Sequence, residues 1–210
     1  MASRITIVDY GVGNLQSLKK AFAHLGFDAI ISEDAEEIRV SDAVILPGVG
    51  SFEAGMRGLK LRNLTEAVQH VAVHNRPMLG ICLGAQLMLE QGHEFGVFDG
   101  LGIIEGEVVR FDADAVKEKI PEVGWNEVYP GTETSWEGSI LVPGEKPRMY
   151  FTHSYIFKPS RKENILGLSS YGGTEFCSVI RKGNIYGCQF HPEKSGEAGL
   201  QLIRNFTQLI

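Results

Sequence analysis

Residues 78–86 read MLGICLGAQ, and this stretch decides the fold. The apolar run 78–81 predicts a buried strand, and a helix is predicted to follow over residues 83–90. Between them, residues 80–84 match the strand-to-helix elbow G-x-nucleophile-x-G, with Cys82 in the nucleophile position. Such a tight turn strains its central residue and crowds the positions two residues away, where glycine removes the clash.

The predicted elbow has a chemical consequence for Cys82. The turn points the sulfur towards the N-terminus of the next helix, where free N–H groups favour a thiolate. The N–H of Leu83 is then available to stabilise an oxyanion. From the pentapeptide alone, a buried and unreactive cysteine at the end of a strand explains Cys82 about as well as a nucleophile does. Cys177 and Cys188 lie in strand-like runs without such a frame, so we expect core packing for both.

Strands and helices alternate through the first half of the chain. One helix is marked by apolar residues at spacings of three and four from Leu15 to Leu25, and Gly26 closes it. Strands are predicted over residues 4–9, 27–31, 43–46 and 78–81, and helices over 15–25, 33–38 and 53–74. This alternation indicates a parallel sheet with helices on both faces.

The second half consists mainly of strand-like segments separated by Gly and Pro. These segments cover residues 103–111, 126–129, 148–157, 165–169, 176–181 and 185–190, and a helix marked by Leu200, Ile203, Phe206 and Ile210 ends the chain. Residues 131–147 are the best loop candidate. We expect one α/β domain over residues 1–210: a three-layer sandwich whose central sheet is mostly parallel, with later strands partly antiparallel.

A thiolate mechanism needs an imidazole base, and His191 is the best candidate among six histidines. It ends the predicted strand 185–190, and Pro192 turns the chain out of the sheet there. Glu193 is placed to accept a hydrogen bond from the imidazole, as the acidic member of a triad does. His24, His70, His74 and His93 are expected at the surface or in a loop, whereas His153 is either a core histidine or a site residue.

Two glycine-rich turns follow predicted strands. The PGVG segment (residues 47–50) allows the backbone to approach a ligand and turn N–H groups towards it, although an ordinary turn is the better explanation of this segment taken in isolation. Gly11 and Gly13 do not form a dinucleotide-binding loop, because Gln16 occupies the third glycine position.

Composition excludes several classes of function. The formal net charge is −6, and lysine and arginine are scattered, so nucleic acid is not an expected partner. The three cysteines form no CxxC pair, and no His/Cys cluster has zinc spacing, so we expect neither a metal nor a disulfide. No apolar run is long enough for a membrane span or a signal peptide, and we expect a cytoplasmic protein.

Taken together, the motifs resemble the class I (triad-type) glutamine amidotransferases over essentially the whole chain. The elbow GICLGAQ (residues 80–86) and the late QFHPEKS (residues 189–195) are the two most specific signatures. Within this family, four further stretches resemble the glutaminase subunits of imidazole glycerol phosphate synthase. They are IVDYGVGNLQSL (7–18), LPGVGSF (46–52), VGWN (123–126) and FTHSY (151–155).

The resemblance implies a set of roles for residues of this chain. It implies a triad of Cys82, His191 and Glu193, which hydrolyses L-glutamine to glutamate and ammonia without a cofactor. It places an oxyanion hole at Leu83, Gly48, Val49 and Gly50, a glutamine pocket at Gly50, Gln86, Glu94, Ser154 and Tyr155, and a subunit interface at Lys194. The implied partner is a cyclase subunit with a (β/α)₈ barrel, which would form a heterodimer with this chain and use the ammonia for histidine biosynthesis.

Two departures from the family pattern leave the branch open. Pro121-Glu122-Val123 stands where the family often has Pro-His-Met, and residues 92–96 read GHEFG where it often has Ser-Glu-Glu-Gly. A paralogous glutaminase that feeds a surface-sugar amidotransferase is therefore the alternative. A non-catalytic module and a cysteine peptidase are further alternatives, but the intact triad argues against the first and the glutamine-pocket residues against the second.

Overall fold

The computed structural model describes residues 3–131 and 134–210. The first half alternates between short strands and helices, as predicted. Its strands are β1 (Ile5–Val8), β2 (Ala29–Ser32), β3 (Ala43–Leu46) and β4 (Met78–Ile81), and its helices are α1 (Leu15–His24), α2 (Ala35–Arg39), α3 (Phe52–Leu61), α4 (Thr65–Val73) and α5 (Leu83–Gln86).

The second half is built mainly from strands and ends in a helix. Its strands are β5 (Gln91–Gly92), β6 (Phe98–Asp99), β7 (Gly106–Arg110), β8 (Glu122–Glu127), β9 (Arg148–His153), β10 (Tyr155–Pro159), β11 (Ile165–Tyr171), β12 (Thr174–Lys182) and β13 (Ile185–Cys188), and its helix is α6 (Gly196–Thr207). The two-stranded ladder β8–β9 is separate from the main sheet and pairs Glu122 with His153.

The main sheet changes direction halfway across. β2, β1, β3, β4 and β13 are neighbours in that order and run parallel. β12, β10 and β7 continue the sheet with antiparallel pairings, and β11 pairs antiparallel with β12. β5 joins β7 in parallel, and β6 pairs antiparallel with β5.

Helices cover both faces of the parallel part of this sheet. On one face, α1 and α6 pack Phe22, Ile203 and Phe206 into a core that includes Ile5 and Ile7. The opposite face is covered by α2, α3, α4 and α5, which contribute the buried side chains of Ile38, Leu59, Val68 and Leu83. The architecture confirms the predicted three-layer α/β class with later antiparallel strands.

The helical stretches predicted over residues 53–74 are two helices, α3 and α4, and Asn63 separates them with a left-handed backbone at φ of 57°. Other predicted boundaries are wrong. The helix predicted to reach residue 90 ends at Gln86. Beyond it, the carbonyls of Leu87 and Met88 accept hydrogen bonds from the N–H groups of Leu101 and Ile103 instead.

Other differences are smaller. The predicted strand 148–157 is interrupted at Ser154, where β9 leaves the small ladder and β10 joins the main sheet. The predicted strand 126–129 begins earlier, at Glu122, and the final helix begins at Gly196 rather than near Leu200. In the predicted loop 131–147, Thr132 and Glu133 lie outside the described residues, and residues 134–147 contain no helix or strand.

Candidate active site

Three adjacent parallel strands bring the predicted site residues to one edge of the sheet. β3, β4 and β13 are neighbours, and each ends where a candidate segment begins. The PGVG segment follows β3, Cys82 follows β4, and Gln189 to His191 follow β13. The carboxyl ends of neighbouring parallel strands are where open α/β sheets place their sites.

The elbow has the strained geometry that the sequence predicts. Cys82 has φ of 50° and ψ of −110°, which a residue with a side chain rarely adopts. A Cβ on Gly84 would lie 1.8 Å from the carbonyl oxygen of Leu46, and one on Gly80 would lie 2.7 Å from Cα of Ala85. Glycine is therefore required at both positions. Strain of this kind persists only where the surrounding structure holds it, and it occurs often at active sites.

His191 is held by Glu193 through a short contact. Nδ1 of His191 lies 2.9 Å from Oε1 of Glu193, and both side chains are almost fully buried. Pro192 begins a single 3₁₀ turn, Pro192–Lys194, that positions the carboxylate. Because a carboxylate only accepts hydrogen bonds, Nδ1 carries the proton and Nε2 is directed to the remainder of the site.

The Cys82 thiol lies close to this imidazole. Burial lowers the pKa of His191, but the contacts with Cys82 and Glu193 outweigh burial and raise the pKa from 6.5 to about 9. Nε2 of His191 is buried and makes no regular hydrogen bond within the described part of the chain. The imidazole–thiol contact is therefore looser than a hydrogen bond, as nucleophile–base pairs often are without substrate.

The PGVG segment packs directly on the beginning of α5. A Cβ on Gly48 would lie 2.7 Å from the backbone nitrogen of Gly84 and 2.7 Å from Cβ of Leu83. Gly50 has φ of 120°, which favours glycine. The buried hydroxyl of Tyr10 donates a hydrogen bond to the carbonyl of Pro47. The structure thus brings Gly48, Val49 and Gly50 beside Leu83, as the predicted oxyanion hole requires.

A cleft of about 340 Å³ opens over Cys82. Its size falls in the range of small-molecule sites. Every predicted glutamine-pocket residue lines it, namely Gly50, Gln86, Glu94, Ser154 and Tyr155. Val49, Leu83, Cys82 and His191 line it as well, together with Pro121, Thr152 and His153.

Two polar side chains of the cleft are held in place. Oε2 of Glu94 accepts a hydrogen bond of 2.7 Å from the N–H of Phe52, at the first turn of α3. Nε2 of Gln86 donates to the carbonyl of Tyr155 at 3.3 Å and to Oε1 of Gln189 at 3.2 Å. The cleft therefore presents a fixed carboxylate and a fixed amide next to the nucleophile.

Lys194 lies outside this cleft. Its side chain is exposed, and Nζ lies 6.0 Å from the ring centroid of Tyr150. Trp125 packs edge-on against the same ring with centroids 6.1 Å apart. Lys194 is thus part of a surface next to the triad rather than of the triad itself.

The sequence missed three contributors to the site. Gln189 is fully buried next to Cys82. It belongs to the QFHPEKS motif, but no role is predicted for it from the sequence. Glu122 pairs with His153 at 3.0 Å, and both side chains are buried. Tyr10 contacts the PGVG segment. The sequence does contain a signal for Gln189, namely a polar residue at the end of a buried strand. The contacts of Glu122 and Tyr10 have no such signal, because they depend on how distant segments pack.

The remaining cysteines lie in the core, as expected. Burial is the largest of the effects that raise the pKa of both the Cys177 and the Cys188 thiols above their ordinary value. Such cysteines are poor nucleophiles. Among the described residues, no group of three or more His, Cys, Asp or Glu side chains is arranged to hold a metal ion. No helix in this part of the chain is long and apolar enough to cross a membrane.

This combination of elbow, imidazole and cleft agrees with the comparison to known families. Residues 6–209 match the family model described as glutamine amidotransferase class-I, and the chain belongs to this family. It is therefore a glutamine-hydrolysing enzyme, which confirms the predicted family and type of reaction.

Curated relatives identify the group within the family that the chain resembles. A HisH 1 subunit of imidazole glycerol phosphate synthase from Legionella pneumophila (strain Lens) is 44% identical over 213 residues, covering 99% of this chain and all of the relative. The HisH subunit from Chlorobaculum tepidum is 42% identical over 207 residues, covering 97% of this chain and 99% of the relative.

Solved structures share the fold at low sequence identity. The structure of PurLQS from Thermotoga maritima matches with a TM-score of 0.74 and 18% identity over 99% of both chains. The crystal structure of a glutamine amidotransferase matches with a TM-score of 0.74 and 19% identity over 97% of both chains. At such identity these matches show the fold alone.

Proposed function

We propose that the chain is the glutaminase subunit of an imidazole glycerol phosphate synthase and forms a single glutamine amidotransferase domain over residues 1–210. One observation carries the proposal: Cys82 on a strained elbow faces His191, which Glu193 holds at 2.9 Å, at the base of a polar cleft. The full-length similarity to HisH subunits supports the choice of this synthase.

The reaction begins with a protonated imidazole close to the Cys82 sulfur. With a pKa of about 9, His191 holds a proton at neutral pH, which favours the thiolate form of Cys82 next to it. The thiolate attacks the carboxamide carbon of glutamine, and the carbonyl electron pair moves to oxygen. His191 then donates its proton to the nitrogen, the C–N bond breaks, and ammonia leaves a thioester on Cys82.

The same imidazole serves the second half of the reaction. Having given up its proton, neutral His191 accepts one from a water molecule, and the resulting hydroxide attacks the thioester carbon. The C–S bond then breaks, glutamate leaves, and the thiolate and protonated imidazole are restored. Glu193 stays ionised throughout and keeps the proton on Nδ1.

The oxyanion formed in both steps is stabilised by backbone N–H groups. We assign the N–H of Leu83, which follows the nucleophile, and N–H groups of Gly48, Val49 and Gly50. The close packing of Gly48 on Gly84 and the contact of Tyr10 with Pro47 support this assignment, because they keep the PGVG segment beside α5. The resemblance to the synthase glutaminases implies that a small shift of this segment completes the oxyanion hole when a loaded partner is bound.

The substrate is recognised by the polar groups of the cleft. Glu94 offers a carboxylate for the α-ammonium group of glutamine, and its hydrogen bond from Phe52 N–H fixes its position. Gly50, Gln86, Ser154 and Tyr155 provide the remaining polar contacts. The site uses no cofactor in this scheme.

The named relatives are subunits of a synthase, so a partner subunit is implied for this chain as well. We propose a cyclase subunit with a (β/α)₈ barrel, joined to this chain as a heterodimer in the cytoplasm. Exposed apolar side chains around the cleft support docking there: Val49 lines it, Phe95 follows Glu94, and Val123 pairs with Thr152 across the small ladder. Trp125 is exposed further along the same strand. Lys194 extends the same surface through Tyr150.

The test is a glutaminase assay with the isolated chain, and with the cyclase subunit in the presence and absence of its nucleotide substrate. We expect slow hydrolysis by the chain alone and strong stimulation by the loaded cyclase. Stimulation by a sugar-amidation barrel but not by the cyclase would favour the paralogous function. Full activity of the isolated chain would contradict gating by the PGVG segment.

A further inference from the structure

Gln189 has no part in the mechanism described above, yet it lies only two residues before the base, His191. It lies between β13 and His191, and its side chain is fully buried. It does not line the substrate cleft. Its backbone N–H donates to the carbonyl of Ser178 at 2.9 Å, so the main chain is fixed independently of the side chain.

The side-chain amide of Gln189 connects the nucleophile to the substrate pocket. Nε2 donates a hydrogen bond to Sγ of Cys82 at 3.7 Å. Oε1 accepts a hydrogen bond of 3.2 Å from Nε2 of Gln86, which also donates to the carbonyl of Tyr155. Since Oε1 receives a donor from Gln86, the NH₂ group of Gln189 must face the sulfur.

We propose that Gln189 is a positioning residue that directs the Cys82 sulfur and stabilises its thiolate through the N–H donor of its amide. This inference rests on the proposed role of Cys82 as nucleophile. No bond of Gln189 is made or broken: its N–H donates to the sulfur before attack and stays in place while the thioester forms and is hydrolysed.

The physical case depends on burial. A thiolate removed from water needs a nearby positive charge and hydrogen-bond donors, and the protonated imidazole of His191 supplies the charge. The amide of Gln189 supplies a hydrogen-bond donor that keeps its proton and has no solvent competitor. If Gln189 only filled space, an apolar residue would be expected at a fully buried position, because burying an amide without partners is costly. Both ends of this amide have partners within the active site.

The experiment compares Gln189→Glu and Gln189→Met with wild type in the reconstituted complex with the cyclase. The Glu variant keeps an acceptor for Gln86 but replaces the N–H donor by a carboxylate oxygen that repels the thiolate. The Met variant keeps the length of the side chain without either polar group. It tests the proposal by itself if the Glu variant does not fold. Gln208→Met, at the exposed end of α6, is the matched control.

We expect kcat for glutamine hydrolysis to fall about 10- to 100-fold in the Met variant and further in the Glu variant. KM for glutamine should change less than kcat in the Glu variant, because Gln86 keeps its partner. The rate of Cys82 alkylation by iodoacetamide should fall in both variants, and its pH dependence should move to higher pH. Ammonia-dependent synthesis and the control variant should match wild type.

The pH profile must be interpreted against the other groups around the sulfur. His191, Tyr10 and Cys188 interact with Cys82, and Glu193 acts on the sulfur through His191. These groups are unchanged in the Gln189 variants. A shift of the pH dependence of Cys82 alkylation therefore reports the loss of the N–H donor of Gln189. Folded variants with wild-type kcat and alkylation profile would overturn the inference. A wild-type complex that does not hydrolyse glutamine would instead refute the proposed function.

Discussion

Nδ1 of His191 lies 2.9 Å from Oε1 of Glu193, two residues along the chain, and both side chains are buried. This pair fixes the direction of the imidazole and keeps its other nitrogen available to Cys82. Replacing Glu193 by Gln preserves size but removes the charge. We expect kcat for glutamine hydrolysis to fall about 100- to 10,000-fold, since the imidazole loses its proton at lower pH and its orientation is less well fixed.

Steady-state kinetics of the Glu193→Gln variant in the complex test this expectation, with KM measured alongside kcat. Glu197→Gln is the control, because Glu197 is an exposed acidic residue in the first turn of α6. An activity within twofold of wild type would contradict the role given to Glu193.

The raised pKa of His191 also predicts how stability depends on pH. The folded chain holds this proton with a pKa of about 9, above the ordinary 6.5. The resulting stabilisation is fully present below about pH 6.5 and is lost as pH rises through about 9, with a maximum of roughly 3 kcal/mol. Denaturant unfolding of wild type and His191→Asn at several pH values measures it. The difference between the two proteins should shrink with rising pH, and a difference that grows would contradict the assignment.

Gly84 is required by the packing of the elbow against the PGVG segment. A Cβ there would lie 1.8 Å from the carbonyl oxygen of Leu46 and 2.7 Å from that of Pro47. Gly84→Ala must displace this backbone, and we expect a loss of about 1–3 kcal/mol in unfolding free energy together with a large fall in kcat.

Gly26→Ala is the matched control for this substitution. Gly26 has φ of 85° and open space around it, so its replacement adds backbone strain alone. It should destabilise the fold by about 1 kcal/mol and leave kcat unchanged. Equal effects of the two substitutions on kcat would show that the PGVG contact has no catalytic importance.

Glu122 and His153 form a buried pair that anchors the small ladder to the glutamine cleft. Nε2 of His153 lies 3.0 Å from Oε2 of Glu122, and Nδ1 lies 2.8 Å from the carbonyl of Tyr155. Glu122→Ala leaves Nε2 without its partner, so we expect a loss of about 1–3 kcal/mol in unfolding free energy and a raised KM for glutamine.

Glu127→Ala, at the exposed end of the same strand, is the control for the Glu122 variant. It should change neither stability nor KM appreciably. If Glu122→Ala lowers stability without any change in KM, the pair holds the fold but does not shape the substrate cleft.

The parts of the site that depend on neighbouring residues could be predicted from the sequence. The elbow places Gly80, Cys82 and Gly84 within five residues, and His191 and Glu193 are two residues apart, so turn chemistry and spacing were sufficient. The alternation of strands and helices predicted the three-layer class because each short apolar strand must be buried.

The contacts that were missed join residues far apart in the chain. Gln189 reaches Cys82 across 107 positions only because β13 pairs with β4, with Cys188 opposite Ile81. The pairing of Glu122 with His153 depends on the register of β8 and β9. Likewise, the helix after Cys82 does not continue, because Leu101 and Ile103 donate to the carbonyls of Leu87 and Met88 just beyond it. Such effects come from tertiary packing, which local patterns do not contain.

The central claim is that Cys82 releases ammonia for use by the partner. The most direct measurement is product formation by the reconstituted complex with Cys82→Ala, supplied with either glutamine or an ammonium salt. We predict no glutamine-dependent synthesis and wild-type ammonia-dependent synthesis, because the substitution removes the nucleophile and leaves the partner intact. Loss of both activities in a folded complex, or retention of glutamine-dependent synthesis, would contradict the account.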